Sequence, residues 1–246
     1  MRGWWREFTG LVLPVACGGC GRPRTEVCAG CRAALLGAAP RRVRPAPEPA
    51  GLPEVRAAAP YENAVRALLL AHKERGALGL VGVLGSALAG AVQAGAGPGR
   101  EAGPLLLVPV PSARRSTAAR GHDPARRVAL AAAAELRRTG MPAGVLAVLR
   151  QRRVVADQSG LAAGQRRANL AGALEVVCGA GRLLAGARVV LVDDLMTTGA
   201  SLAEAARAVR AGALADAGAG WKNTGEQTLR AAVVSASPSA FEINRN

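Results

Sequence analysis

Aromatic residues make up only 2% of this 246-residue chain. A platform that stacks the bases of single-stranded nucleic acid needs several aromatic faces, so that class of binder is disfavoured. Histidine is almost as scarce, with His72 and His122 the two in the chain. That leaves no material for a His-rich metal site and little for a Ser-His-Asp triad. Lysine is nearly missing too: of 32 basic residues 30 are arginine, and the lysines are Lys73 and Lys222. No glycine-rich loop ending in Gly-Lys-Ser or Gly-Lys-Thr occurs, so an ATPase motor of the P-loop type is not supported.

What is present sets a different expectation. Half of the residues are apolar and 20% are charged, enough to bury the core of one α/β domain with a small appendage. The net charge is +15. Arginine matches phosphate oxygens with a two-pronged fork, so a phosphate-rich ligand fits this balance. A compositional bias towards Ala, Gly and Arg contributes as well, because the arginines are scattered along the chain.

Two stretches imitate membrane segments. Residues 1–17 resemble a signal peptide, but Pro14 interrupts the short apolar core and Glu7 the basic region. An amphipathic helix leading into the cysteines is expected there. Residues 76–99 carry no charge, yet Leu80, Leu84, Leu88 and Val92 form an i, i+4 stripe. That stripe suits a helix packed on a sheet better than a membrane span. A cytoplasmic protein without a span is the expectation.

Four of the five cysteines, Cys17, Cys20, Cys28 and Cys31, fall within 15 residues as two Cys-x-x-Cys pairs. Two such pairs can supply four thiolates to a structural zinc ion, with no ligand position left open for catalysis. A redox pair is the alternative. Cys178 stands alone. Prolines at 40, 45, 47, 49 and 53 then mark a linker. The expected organisation is a zinc-ribbon-like module over residues 1–39, a Pro/Arg-rich linker over 40–54 and one domain over 55–246.

Beyond the linker, strands and helices alternate. Strands are expected at 55–59, 105–110, 145–149, 174–177, 187–192 and 230–236, with helices at 62–73, 124–138 and 202–213 and a loop at 150–169. Continuous apolar strands alternating with helices imply a parallel sheet covered on both faces.

The sharpest motif is VVLVDDLMTTGAS, residues 189–201. Four apolar residues fit a central strand, and Asp193 and Asp194 follow at its carboxyl end, where α/β sheets bind ligands. Adjacent carboxylates are costly in a core unless cations or hydroxyls satisfy them. Thr197, Thr198, Gly199, Ala200 and Ser201 then form a small, hydroxyl-rich turn into a helix, a setting for an anion. Ser201 and Glu204 match a capping box. A ribose 5-phosphate, with vicinal hydroxyls at one end and a phosphate at the other, would satisfy both halves.

This motif resembles the signature of type I phosphoribosyltransferases, which bind 5-phosphoribosyl 1-pyrophosphate. The resemblance implies the type I phosphoribosyltransferase fold, ribose hydroxyls held by Asp193 and Asp194 as the catalytic acids, and the 5-phosphate held by residues 197–201. It implies magnesium bridging ribose and pyrophosphate. Residues 105–121, with Ser112, Arg114 and Arg115, resemble the pyrophosphate loop of the same family. Residues 150–169, with Arg150, Gln158, Arg166, Arg167 and Asn169, resemble the flexible loop that closes over the site.

The spacing QSGLAAGQRRANL and the cysteine module before the domain are similar to the ComF family of competence-associated, phosphoribosyltransferase-like proteins. The polar stretch 216–229 and the tail 241–246 depart from that family's pattern. The implied function is transfer of a phosphoribosyl group to an unidentified acceptor. The alternative is a non-catalytic donor-binding accessory factor of DNA uptake, with single-stranded DNA or the competence machinery as partner. Homo-oligomerisation stays open at this point.

Overall fold

The computed structural model describes residues 15–96, 104–112, 123–153, 163–184, 187–217 and 229–244. In chain order, helix α1 (Ala29–Leu36) follows the first cysteines, and strands β1 (Arg41–Val43) and β2 (Glu54–Pro60) come next. Helix α2 (Asn63–Arg75), a 3₁₀ turn (Leu78–Leu80) and helix α3 (Val81–Ala96) lead to β3 (Leu105–Pro109). Then come α4 (Pro124–Arg138), β4 (Ala143–Val145), β5 (Leu149–Gln151), α5 (Ala163–Leu170), β6 (Leu174–Val176) and α6 (Gly181–Leu184). Strand β7 (Arg188–Met196), α7 (Ala200–Ala217), β8 (Arg230–Ala236) and a 3₁₀ segment (Pro238–Asn244) complete the described chain.

The result is an α/β fold with a mostly parallel six-stranded sheet in the order β1-β2-β8-β7-β3-β4 and an N-terminal four-cysteine cluster. Only β1, on the edge, runs antiparallel to its neighbour. The apolar runs explain the centre: Val190 and Val192 of β7 join the core on one face, with Leu68, Leu84 and Val128 of α2, α3 and α4. Val189 and Leu191 join the core on the other face, with Leu202 and Val209 of α7. Alternate residues of a strand point to opposite faces, so a fully apolar run is what a doubly covered strand requires.

The direction of the connections matters most for function. From β3 the chain passes through α4 to β4 on one side. From the adjacent β7 it passes through α7 to β8 on the other side. Neighbouring strands whose crossovers leave in opposite directions, over opposite faces, open a crevice at their carboxyl ends.

Several expectations need correction. A strand expected at 145–149 is instead two strands in different sheets, β4 in the main sheet and β5 paired antiparallel with β6. The expected loop at 150–169 includes the end of β5 and the helix α5. Three-residue strands are too short to show a period, which is why the pattern misled. The 40–54 segment is not wholly a linker, because Arg41–Val43 forms the edge strand β1 and Val43 is buried. The stretch Leu78–Ala96 is long and apolar enough to cross a membrane by length and composition. Here its Leu84, Leu88 and Val92 pack in the core instead.

The capping-box expectation also fails. Helix α7 begins at Ala200, and the carbonyl of Gly199 accepts the first helical hydrogen bond, from the N–H of Ala203 (2.9 Å). That makes Gly199 the N-cap. Glu204, buried a turn further on, accepts the Leu174 N–H (3.0 Å) and pairs with Arg207, which in turn donates to the Leu174 carbonyl (2.8 Å). This clamp ties the small β5–β6 sheet to the first turns of α7. Burial works to raise the Glu204 pKa, but the Arg207 guanidinium and the Leu174 N–H outweigh it and hold the carboxyl below its ordinary value of 4.5.

A group with a depressed folded pKa stabilises fully above its unfolded value and loses that contribution as pH falls through the folded value. E204A should therefore cost about 1–3 kcal/mol at neutral pH, because it leaves the buried Leu174 N–H unsatisfied. The gap between variant and wild type should narrow in melts recorded below the ordinary carboxylate range, as the part that depends on the Glu204 charge is lost. A gap that stays constant down to strong acid would contradict the clamp.

Candidate functional site

The acid pair sits where β3 and β7 part company. Strand β3 follows β7 up to the register Pro109↔Val192, with the Val110 N–H on the Val192 carbonyl (2.9 Å). Proline has no N–H to offer a ladder, so Pro109 and Pro111 end the pairing there. Strand β7 continues for four more residues, held by β8 through Asp193↔Val233, Leu195↔Ser235 and Met196↔Ala236. The expected strand of 187–192 is thus longer, and both acids lie within it rather than after it. They occupy the stretch of β7 beyond its last pairing with β3 among the described residues.

Strand alternation sends the two side chains different ways. Asp194 shares the parity of Val190 and Val192 and lies towards α2, α3 and α4, while Asp193 takes the α7 side. Asp194 is 5% exposed, and Lys73 straddles its carboxylate, with Nζ 3.1 Å from Oδ2 and 3.3 Å from Oδ1. The Asp194 N–H donates to Asp193 Oδ1 (2.8 Å), which orients the Asp193 side chain. Burial, and then the neighbouring Asp194 carboxylate, push the Asp193 carboxyl well above the usual range, while Lys73 pulls it down.

In the sequence, the His72-Lys73 pair reads as a charge pair at a helix end or as a group within reach of a phosphate; its contact with Asp194, across 121 positions of chain, is what sequence reasoning missed. One signal was available: in a chain that uses arginine almost everywhere, Lys73 is one of two lysines.

The turn after β7 matches the expected cradle in shape. Thr197 is exposed, Thr198 and Ser201 are half-buried, and Gly199 and Ala200 are buried. Gly199 has φ +72°, the left-handed region that side chains disfavour. A Cβ there would also lie 3.1 Å from Leu52 and 3.2 Å from Pro45, so the 40–54 segment packs directly on this turn. The 18-residue helix α7 presents its N-terminal amides and positive dipole end at the same place.

The remaining expected residues are only partly gathered. Ser112 is half-buried at the exit of β3. Arg114, Arg115 and Gln158 lie outside the described residues, as do the side chains of Arg166 and Arg167 on α5. Arg150 sits on β5 opposite Glu175 and pairs with it (2.8 Å), so its charge is used within the small sheet. Asn169 is half-buried on α5, and its carbonyl accepts from Arg153 (2.8 Å). Arg152 and Ala173, joined by a backbone hydrogen bond (2.9 Å), mark where the chain leaves and rejoins the small sheet. The Glu204 clamp on Leu174 places that point beside the first turns of α7.

The second cluster is the cysteines. The Sγ atoms of Cys17, Cys20, Cys28 and Cys31 all lie within 4.8 Å of one another, and all four thiols are free. A tetrahedron of sulfurs about 2.3 Å from a zinc ion has edges of about 3.8 Å, and Cys20 and Cys28 are 3.6 Å apart. Backbone amides aim at the sulfurs. Burial raises the Cys17 thiol pKa, but the N–H groups of Cys28 (3.4 Å), Cys20 and Gly19 overcome it and bring it down to about 6. Amides of this kind favour thiolates, the form that binds metal. Gly19 is required by space, since a Cβ there would come within 2.6 Å of Cys31 Sγ.

The cysteine module is not a separate lobe. Cys17, Cys28 and Cys31 belong to the same core as Leu68 and Leu80, and Arg75 of α2 reaches the Gly18 carbonyl (3.5 Å). Helix α2 therefore touches the cysteine cluster along its length and the acid pair at its end.

G199A should lower stability by about 1–2 kcal/mol, the cost of a left-handed alanine, read as a fall of several degrees in the melting temperature. An unchanged melting temperature would show that the turn relaxes freely. Set against known proteins, no protein-family model matches this chain, and no curated relative matches it.

Proposed function

We propose that this protein binds 5-phosphoribosyl 1-pyrophosphate and transfers its phosphoribosyl group, as a phosphoribosyltransferase-like protein of the ComF type with the type I phosphoribosyltransferase fold. One observation carries the reading. Two carboxylates and a glycine-turned, hydroxyl-rich N-cap lie consecutively at the carboxyl end of β7, beyond its last pairing with β3 among the described residues. Carboxylates suit ribose hydroxyls, and the helix N-terminus suits the 5-phosphate.

Asp193 and Asp194 would accept hydrogen bonds from the ribose hydroxyls and fix the anomeric carbon. Residues Thr197 to Ser201 would hold the 5-phosphate with hydroxyls and amides. Ser112, Arg114 and Arg115 would stabilise charge growing on the departing pyrophosphate. Magnesium, arriving with the donor, would neutralise charge between the ribose and the pyrophosphate. Catalysis of this kind is positioning and electrostatics, with no covalent enzyme intermediate required. The four cysteines would hold one structural zinc ion, with every ligand position filled by the protein.

The deciding experiment is incubation with the donor, magnesium and a panel of bases and amines, reading pyrophosphate release. Release that depends on one acceptor, and falls at least 100-fold in D194N, is the expected result. Saturable donor binding without release would favour the accessory-factor reading, and indifference to the donor would end both. The zinc content of purified protein should be near one per chain and fall in C28S. Metal-free, fully folded protein would contradict the zinc assignment.

A further inference from the structure

Resting on that reading, we propose that Lys73 is a donor-binding residue: it neutralises Asp194 while the crevice is empty and moves to the donor's phosphate oxygens when the donor arrives. Two requirements lead there. Asp194 is 5% exposed at the end of a central strand. A carboxylate so placed needs a cation, and among the described residues Lys73 is the one paired with it. The donor, in turn, brings its own cation and ribose hydroxyls to the acid pair, together with several phosphate negative charges beside it. Those charges compete with Asp194 for the ammonium.

The fold leaves Lys73 able to respond. Helix α2 leaves the carboxyl end of β2 and reaches β7, two strands away across β8. Its 13 residues span about 20 Å, against about 10 Å for two strand spacings, so the helix bridges that edge of the sheet. Its end is fixed. The Ala77 N–H returns to the Ala71 carbonyl (3.1 Å) and Gly76 caps the helix in a left-handed conformation. Cys31, Leu68 and Leu80 share one core beneath it. The lysine backbone is thus held, while its side chain is 35% exposed, with a flexible four-carbon stem. An arginine, planar and larger, would hold a carboxylate in a two-pronged fork and give it up less readily. That accounts for a lysine here in a chain whose cations are otherwise almost all arginine.

The near absence of lysine makes the test clean. Protein labelled with ¹³C and ¹⁵N at lysine gives signals from two residues, Lys73 and Lys222, and K222R assigns them. Donor binding is measured alongside by equilibrium dialysis with 5-phosphoribosyl 1-pyrophosphate and magnesium. The expected result is a Lys73 signal that shifts in D194N without donor, and shifts again in wild type on saturation with donor. K73M should bind donor roughly 10- to 100-fold more weakly, as for loss of one charge-assisted hydrogen bond, with K73R restoring part of the affinity. The double variant K73M/D194N removes both charges, and its melting temperature separates lost folding from lost binding. If wild type binds donor but the Lys73 signal stays still and K73M binds equally well, the proposal is overturned and the donor-site reading survives. If dialysis shows no donor bound to wild type, the reading fails and takes the proposal with it.

Discussion

A carboxylate buried at the end of a central parallel strand cannot be left alone, and the arrangement around β7 answers that constraint. Strand β3 ends its pairing with β7 at prolines, one residue before the acids. Lys73 comes across the sheet to meet Asp194, and Asp193 takes the N–H of its neighbour. The burial of Asp194, the reach of α2 and the crevice between β3 and β7 are one problem in charge compensation. Burial disfavours the charged form, and like charges side by side disfavour joint ionisation; burial first and the Asp194 carboxylate second push the Asp193 carboxyl up. A ligand that brings hydroxyls and a cation would relieve the same strain, which is the basis of the proposed sugar site.

Support for that pair extends well away from it. Helix α2 packs on the cysteine module through Leu68 and is stopped by the turn at Gly76. The cysteine cluster is therefore a foundation for the helix that delivers Lys73, beyond being a staple for its own loop. On the opposite face, Glu204 and Arg207 fasten the β5–β6 sheet to α7, and Leu52 and Pro45 press on Gly199. Three segments distant in sequence thus hold the two strand ends and the helix start in place.

Much of the fold was legible because its central strands are long and apolar. Residues 230–236 and 124–138 were expected with the bounds that the structure gives to β8 and α4. The acid pair and its turn were legible because they are consecutive in the chain. The rest was hidden for physical reasons. Strands β4 and β5 are three residues each and carry no period, so they read as one strand, whereas β6 lies where a strand was expected. Ser201 and Glu204 have the spacing of a capping box, but the helix starts at Ala200 and a buried N–H at Leu174 claims the Glu204 carboxylate. The contact of Lys73 with Asp194 spans too much chain for any local pattern to register. The docking of the cysteine module rests on Gly18 and Gly19 packing against Leu80 and Leu68, which no spacing of cysteines could announce.

The most direct measurement is a calorimetric titration of 5-phosphoribosyl 1-pyrophosphate, with magnesium, into the full chain and into its D193N/D194N variant. The account predicts saturable binding near one donor per chain in the wild type and loss of that heat in a variant that still melts cooperatively. Equal heats in the two proteins would show that the acids do not grip the sugar, and no heat in either would show that this crevice is built for something else.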